Sequence, residues 1–251
     1  MSDDAGQRPG DDVALAVTAW KRFGDVVALD GAQVRIARGT VHALCGENGA
    51  GKSTLMRIAY GLLAADRGTL ELDGARPLAR HHVHAAQAAG VGMVHQHGML
   101  VPTLTLAENA ALGHEGGPVL DLERARRVMR DAGARLELEL PVDRLAGHLT
   151  VGEQQRAEIA LVASRSPRLL ILDEPTALLA PVEVGRLLEL LRAIARRGGA
   201  VVLVTHKLDE VVAVADAITV LRAGRTVAEL PRGTDADAIA RAMVGELPPP
   251  V

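Results

Sequence analysis

The chain has 251 residues, 48% of them hydrophobic and 24% charged, with a formal net charge of −3. That length supports one sizeable core with a smaller subdomain folded against it, and the near-balanced charge gives no general attraction for nucleic acid. The single cysteine, Cys45, excludes an internal disulfide. No apolar run approaches the roughly 20 residues needed to span a bilayer, so the expectation is a soluble chain whose membrane role would come through a partner.

In chain order, residues 1–10 are acidic and turn-rich and read as a disordered start. Residues 13–18 and 41–45 are short, largely apolar runs expected as strands. Trp20, Phe23 and Tyr60 are the only aromatic residues, so the core must be aliphatic, with Cys45 as a small buried hydrophobe. A helix is expected over 52–61 and a short strand over 69–72, before a turn at Asp73 and Gly74. His81, His82 and His84 fall in an expected exposed helix, and a metal site there is not expected because no Cys or acidic residue lies among them.

From about residue 97 to 160 the chain reads mainly helical, most clearly over 121–132 and 151–164, as an insertion. Residues 169–172 and 200–204 are strongly apolar and bounded by polar residues, as buried parallel strands are. Between them Pro181 opens a helix, and Val184, Leu187, Leu188, Leu191 and Ile194 recur at helical spacing. Gly198 and Gly199 close it. Strand–helix–strand of this kind implies a right-handed crossover in a parallel sheet. Three prolines at 248–250 end regular structure, leaving residues 11–247 as one α/β domain with a helical insertion.

The chemistry concentrates in a few motifs. Gly46-Glu47-Asn48-Gly49-Ala50-Gly51-Lys52-Ser53-Thr54 fits the phosphate-binding pattern G-x-x-x-x-G-K-[ST], after an apolar strand and before a helix. Its glycines let the backbone curl around an anion at the positive end of the helix. Lys52 would reach the β- and γ-phosphates, and Ser53 would ligand Mg²⁺. Residues 169–172 run into Asp173 and Glu174. Asp173 is placed to hold the Mg²⁺ shell; Glu174, on the other side of the strand by alternation, is the candidate general base. His206 ends the next apolar strand, where it can orient a phosphate and the attacking water.

Leu149-Thr150-Val151-Gly152-Glu153-Gln154-Gln155-Arg156 begins a helix shortly before Asp173. Here the chain resembles the ABC ATPase family, whose signature reads LSGGQ, and the order of motifs is that family's order. The resemblance covers about residues 12–245. It implies a P-loop NTPase (RecA-like) α/β core with an antiparallel β subdomain and an inserted helical subdomain. It further implies ATP and Mg²⁺ as ligands, and signature residues Thr150, Val151, Gly152 and Glu153 bound to ATP on an opposite half. The Gly152 N–H and the Thr150 hydroxyl at a helix start would form that second anion site. Gln96 matches the family's glutamine loop, which contacts Mg²⁺ and water, and Phe23 falls where an aromatic residue stacks on adenine. The alternative for Phe23 is plain core packing.

The stretch from Gly92 to Thr105 resembles the ATP-binding subunits of bacterial simple-sugar and nucleoside importers, specifically their N-terminal half. That implies transmembrane permease partners, contacted through Met99 and Leu100, a second ATP-binding half, and indirectly an extracytoplasmic substrate-binding protein. It implies a peripheral position at the cytoplasmic face of the membrane and no nucleic-acid partner. Met99 and Leu100 read equally as packing inside the helical insertion. The sequence departs from the family pattern at Val151, Glu153 and Ala180, the last standing where many members carry an aspartate. The alternative functions are an ABC ATPase acting on ribosomes or nucleic acid, and a nucleotide-binding module without hydrolysis. The first lacks its usual charged linker or coiled-coil insertion here; Glu174 and His206 argue against the second.

Overall fold

The computed structural model describes residues 13–73, 81–96, 98–112 and 121–245. The expected disordered start at 1–10, Gly74 of the turn and the prolines at 248–250 lie outside the described residues. Two sheets organise the chain. β1 (Val13–Phe23), β2 (Val26–Ala37) and β4 (Arg67–Leu72) form an antiparallel sheet in the order β2-β1-β4. The larger sheet runs β5 (Val91–Val94), β6 (Leu169–Asp173), β7 (Ala200–Val204), β3 (Val41–Cys45), β8 (Ala217–Arg222) and β9 (Arg225–Pro231). Its pairs are parallel except β8–β9.

β1 does not stop at Thr18. Trp20, Lys21 and Arg22 continue it, paired with Asp30, Leu29 and Val27 of β2. Ladder hydrogen bonds rather than burial hold this end, which is why apolar content alone ends the strand early.

The helices are α1 (Lys52–Ala59), α2 (Val83–Ala88), α3 (Leu106–Ala111), α4 (Leu122–Leu136), α5 (Val151–Ala163), α6 (Pro181–Arg196), α7 (Leu208–Val214) and α8 (Ala236–Val244). The histidine cluster is only partly helical. α2 starts at Val83, and His82 is its N-cap, with Nδ1 accepting the Ala85 N–H at 3.3 Å. His81 precedes it and bonds the Ala59 carbonyl at 2.9 Å. Two of the three rings are therefore used by the backbone.

The central strands feed two cores by simple alternation. Leu169 and Ile171 pack with α1 and the antiparallel sheet, while Leu170 and Leu172 pack with α6 through Leu187 and Leu191. Fully buried Leu and Ile side chains each contribute about 1.5–3 kcal/mol, so these strands hold both layers together. The helical segment has a small cluster of its own, built on Ala110, Ala125, Met129 and Ala132. α5 belongs to both regions: Ile159 enters the main core and Ala160 enters the helical cluster.

β5, β6, β7 and β3 are consecutive parallel neighbours. Their C-terminal ends therefore open on one edge, where open α/β sheets place ligands. The segments leaving that edge carry Gln96, Asp173 with Glu174, His206, and the loop of residues 46–52.

Candidate active site

The phosphate-binding loop is shaped from beneath by distant backbone. Gly46 has φ of 151°, and a Cβ there would stand 2.3 Å from the Leu221 carbonyl oxygen. Gly51 has φ of 100°, and a Cβ would stand 2.7 Å from the Ala28 carbonyl oxygen. Both positions demand glycine, for conformation and for space. The Gly224 N–H donates to the Ala50 carbonyl at 3.1 Å, so the β8–β9 turn is tied to the loop. Glu47, Asn48 and Gly49 form the exposed crest, with Ser53 and Thr54 half-buried in the first turn of α1. That turn has no side-chain cap and no acidic residue of its own, which suits its positive end to an incoming anion.

Lys52 is 5% exposed, and its Nζ donates to the Gly46 and Glu47 carbonyls at 2.8 and 3.0 Å. Burial lowers its pKa, opposed by the nearby carboxylates of Glu174 and Asp173. Ser53 Oγ donates to Asp173 Oδ1 at 2.8 Å. The other carboxylate oxygen, Asp173 Oδ2, is buried without a hydrogen-bond partner, and burial raises the pKa of the group. A buried acceptor left open beside a serine hydroxyl is the donor set of a hard divalent cation, and the two residues fit Mg²⁺.

Glu174 leaves β6 in the left-handed region, φ 48°, unusual for a residue with a Cβ. Its orientation is thus set by a backbone reversal rather than by strand alternation. Oε1 lies 3.2 Å from His206 Nδ1, and Oε2 accepts from Gln96 Nε2 at 3.2 Å. The three residues expected to position water meet at one carboxylate.

Sequence reasoning missed the fastening behind this group. Lys207 Nζ donates to the Thr176 carbonyl at 2.9 Å and pairs with Glu210 Oε1 at 3.4 Å. Thr205 Oγ1 donates to Glu210 Oε2 at 3.3 Å. Thr176, Thr205 and Glu210 are all buried, so the loops after β6 and β7 are joined by a closed polar network.

The start of α5 differs from the start of α1. Thr150 Oγ1 accepts the Glu153 N–H at 3.2 Å, and Glu153 Oε2 accepts the Thr150 N–H at 2.7 Å. The Thr150 N–H bond is the first cause holding the Glu153 carboxyl below its usual range. Glu183 of α6 lies against Gly152, where a Cβ would stand 1.8 Å from Oε1. Glu183 Oε2 also accepts the Ala180 N–H at 3.2 Å. The expected anion site at Thr150 and Gly152 therefore has two carboxylates of the same chain close by. Val151 is half-exposed, and among the described residues no hydrogen bond joins Thr150, Val151, Gly152 or Glu153 to residues 46–54.

Phe23, 48% exposed, closes β1 with Lys21 Nζ 5.5 Å from its ring centroid, which removes the core-packing alternative. Met99 is 71% exposed and Leu100 half-buried. Leu178 is exposed beside Ala180.

The chain is similar to known proteins over most of its length. The family model described as ABC transporter matches residues 29–177. The Burkholderia thailandensis protein named Ribose import ATP-binding protein RbsA 1 is 46% identical over 240 residues, 93% of this chain and 47% of that protein. The Lactococcus lactis protein named Nucleoside import ATP-binding protein NupA is 42% identical over 236 residues, 93% and 46% of the two chains. The chain thus spans about half the length of the curated relatives it matches. Among solved structures, the ADP conformation of an ATP-binding cassette of an ABC transporter superposes with a TM-score of 0.81 at 23% identity, covering 93% of this chain and 99% of that one. The Clostridium perfringens cbiO1 structure, part of the ABC transporter complex cbiONQ, gives 0.76 at 28% identity and 93% of each chain.

Proposed function

The chain belongs to the ABC transporter family, and from that premise we propose that it binds and hydrolyses ATP to energise a bacterial importer of simple sugars or nucleosides. The observation that carries the reading is the meeting of Gln96, Glu174 and His206 at one carboxylate beside the phosphate loop. The ribose and nucleoside import names of its relatives support the cargo class.

In this reading Lys52 leaves the Gly46 and Glu47 carbonyls for the β- and γ-phosphates, exchanging neutral acceptors for charged ones. Ser53 and Asp173 hold Mg²⁺, which when bound offsets phosphate charge. Residues Gly46, Glu47, Asn48, Gly49, Ala50, Gly51 and Thr54 supply the cradle, and the exposed Phe23 ring stacks on adenine. Glu174 takes a proton from the attacking water, held in place by Gln96 and His206. Thr150, Val151, Gly152 and Glu153 face the ATP of a second ATP-binding half, once the Glu153 and Glu183 carboxylates yield to it.

The further partners are permease subunits, contacted through the Met99 segment, and indirectly an extracytoplasmic substrate-binding protein. No helix of the described residues is long and apolar enough to cross a membrane. The chain would act peripherally at the cytoplasmic face. ATP closes two halves and hydrolysis reopens them, so contacts that differ between the two states bias the permease between its faces.

The test is the solution mass of Glu174→Gln with and without ATP and Mg²⁺. A monomer that becomes a dimer with ATP supports closure of two identical halves. A monomer that binds ATP yet stays single places the productive partner in a different half. Failure to bind ATP refutes the reading.

A further inference from the structure

Glu158 lies in the middle of α5, two turns beyond the signature residues, and is 5% exposed. Buried carboxylates are rare without partners, and this one's partners come from another part of the chain. Oε1 accepts the Met99 N–H at 2.5 Å and the Leu100 N–H at 3.2 Å. The next amide, Val101 N–H, donates to Asn109 Oδ1 at 2.7 Å, and Asn109 Nδ2 reaches the Val101, Leu104 and Thr105 carbonyls. Asn109 is 5% exposed. Three successive backbone amides are thus held by two buried side chains, one from α5 and one from α3, while the Met99 side chain stays in solvent.

We propose that Glu158 is a positioning residue that fastens the segment following Gln96 to the signature helix, so that a change at Gln96 is carried to Thr150–Glu153 as a shift of α5. The inference rests on the ATPase reading of the site and adds a physical connection to it. Gln96 sits three residues before Met99 and bonds Glu174 at the phosphate side. α5 is packed into both cores, so it moves as a body rather than bending locally. Burial raises the pKa of the Glu158 carboxyl, and the Met99 and Leu100 amide bonds, stronger to a carboxylate than to a neutral acid, oppose that rise. No other hydrogen bond among the described residues links Met99 or Leu100 to α5.

The experiment compares the full chain with its Glu158→Ala and Glu158→Gln variants. Hydrogen–deuterium exchange is read over residues 94–101 and 150–156, with and without ATP and Mg²⁺, beside ATP affinity and turnover. In the wild type, ATP should alter exchange in both segments together. Glu158→Ala should bind ATP with wild-type affinity, which shows that the phosphate site is folded. It should also expose the 99 and 100 amides and lose the ATP response at 150–156, with turnover down about tenfold. Glu158→Gln keeps an acceptor oxygen and should restore most of the response. A Glu158→Ala chain whose 150–156 segment still responds to ATP overturns the proposal, as does a Glu158→Gln variant no better than alanine. A wild type that binds ATP but never hydrolyses it counts against the ATPase reading, and the exchange comparison decides the coupling on its own.

Discussion

Replacing Glu174 by glutamine separates taking a proton from holding a place. The amide side chain has the same shape. Its oxygen can still accept from Gln96 Nε2, now at 3.2 Å; its NH₂ can donate to His206 Nδ1, also at 3.2 Å, only with the ring proton on Nε2. The φ of 48° is no worse for Gln than for Glu. The proton acceptor is lost, and the His206 contact is kept only through a change of tautomer. A positioned general base contributes about 10²- to 10⁴-fold, or about 2.7–5.4 kcal/mol of barrier at 1.36 kcal/mol per tenfold. Phosphate release at saturating ATP should fall by that factor. Binding of a fluorescent ATP analogue should stay within about twofold, because Lys52, Ser53 and Asp173 are untouched. Gln96→Ala and His206→Ala each remove one bond to the carboxylate and should cost less, about 10- to 100-fold, as single charge-assisted hydrogen bonds do. If Glu174→Gln turns over ATP within about threefold of the wild type while the two alanine variants are slower, Glu174 is a scaffold for its neighbours and not the base.

Two further outcomes follow from other side chains. His42 is buried on β3 with Nε2 2.8 Å from Thr219 Oγ1, and burial pulls its pKa from 6.5 to about 4. A folded-state value below the unfolded one means the folded chain prefers the neutral ring. The stabilisation is whole above pH 6.5 and lost as pH falls toward 4, about 3 kcal/mol at 1.36 kcal/mol per pH unit. Urea unfolding of wild type and His42→Gln from pH 7.5 to 4.5 should show a shallower acid loss for the variant, and parallel curves would contradict it. Phe23→Ala should weaken ATP binding about 3- to 10-fold, the value of one aromatic stack, while Phe23→Trp keeps it. Calorimetric titration showing equal affinity for all three would remove Phe23 from the adenine site.

Much of the architecture is legible along the chain because its signals are local. Residues 169–172 and 200–204 are apolar without interruption since both faces of each strand are covered, and the structure places β6 and β7 there. Residues 46–54 carry a spacing that only one backbone shape uses. Residues 26–37 receive no strand in the sequence reading because Asp30 and Gly31 break the alternation; pairing with β1 overrides them. Burial in β9 alternates between half-buried and exposed, a weak pattern by itself. In the site, the identities of Asp173, Glu174, Gln96 and His206 follow from motif order, but the reversal that aims Glu174 does not. The contacts of Glu183 with Gly152 and of Glu158 with Met99 and Leu100 are invisible in sequence, because they join residues 31 and about 59 positions apart through side chains that look like ordinary helix surface.

The floor of the phosphate loop sets a rule for where this chain can be cut. The family match ends at residue 177, after the loop, the glutamine, the signature and both carboxylates. Yet the carbonyl that fixes Gly46 belongs to Leu221, and the amide that ties Ala50 belongs to Gly224. β8 reaches them by returning beside β3, with Val220 opposite Cys45. A fragment trimmed to its recognisable motifs would keep most of the residues proposed to face nucleotide and lose the surface that shapes residues 46–51. For swapping or recombining this unit, the exchangeable piece must run at least through the β8–β9 turn, well past the end of the family match at residue 177.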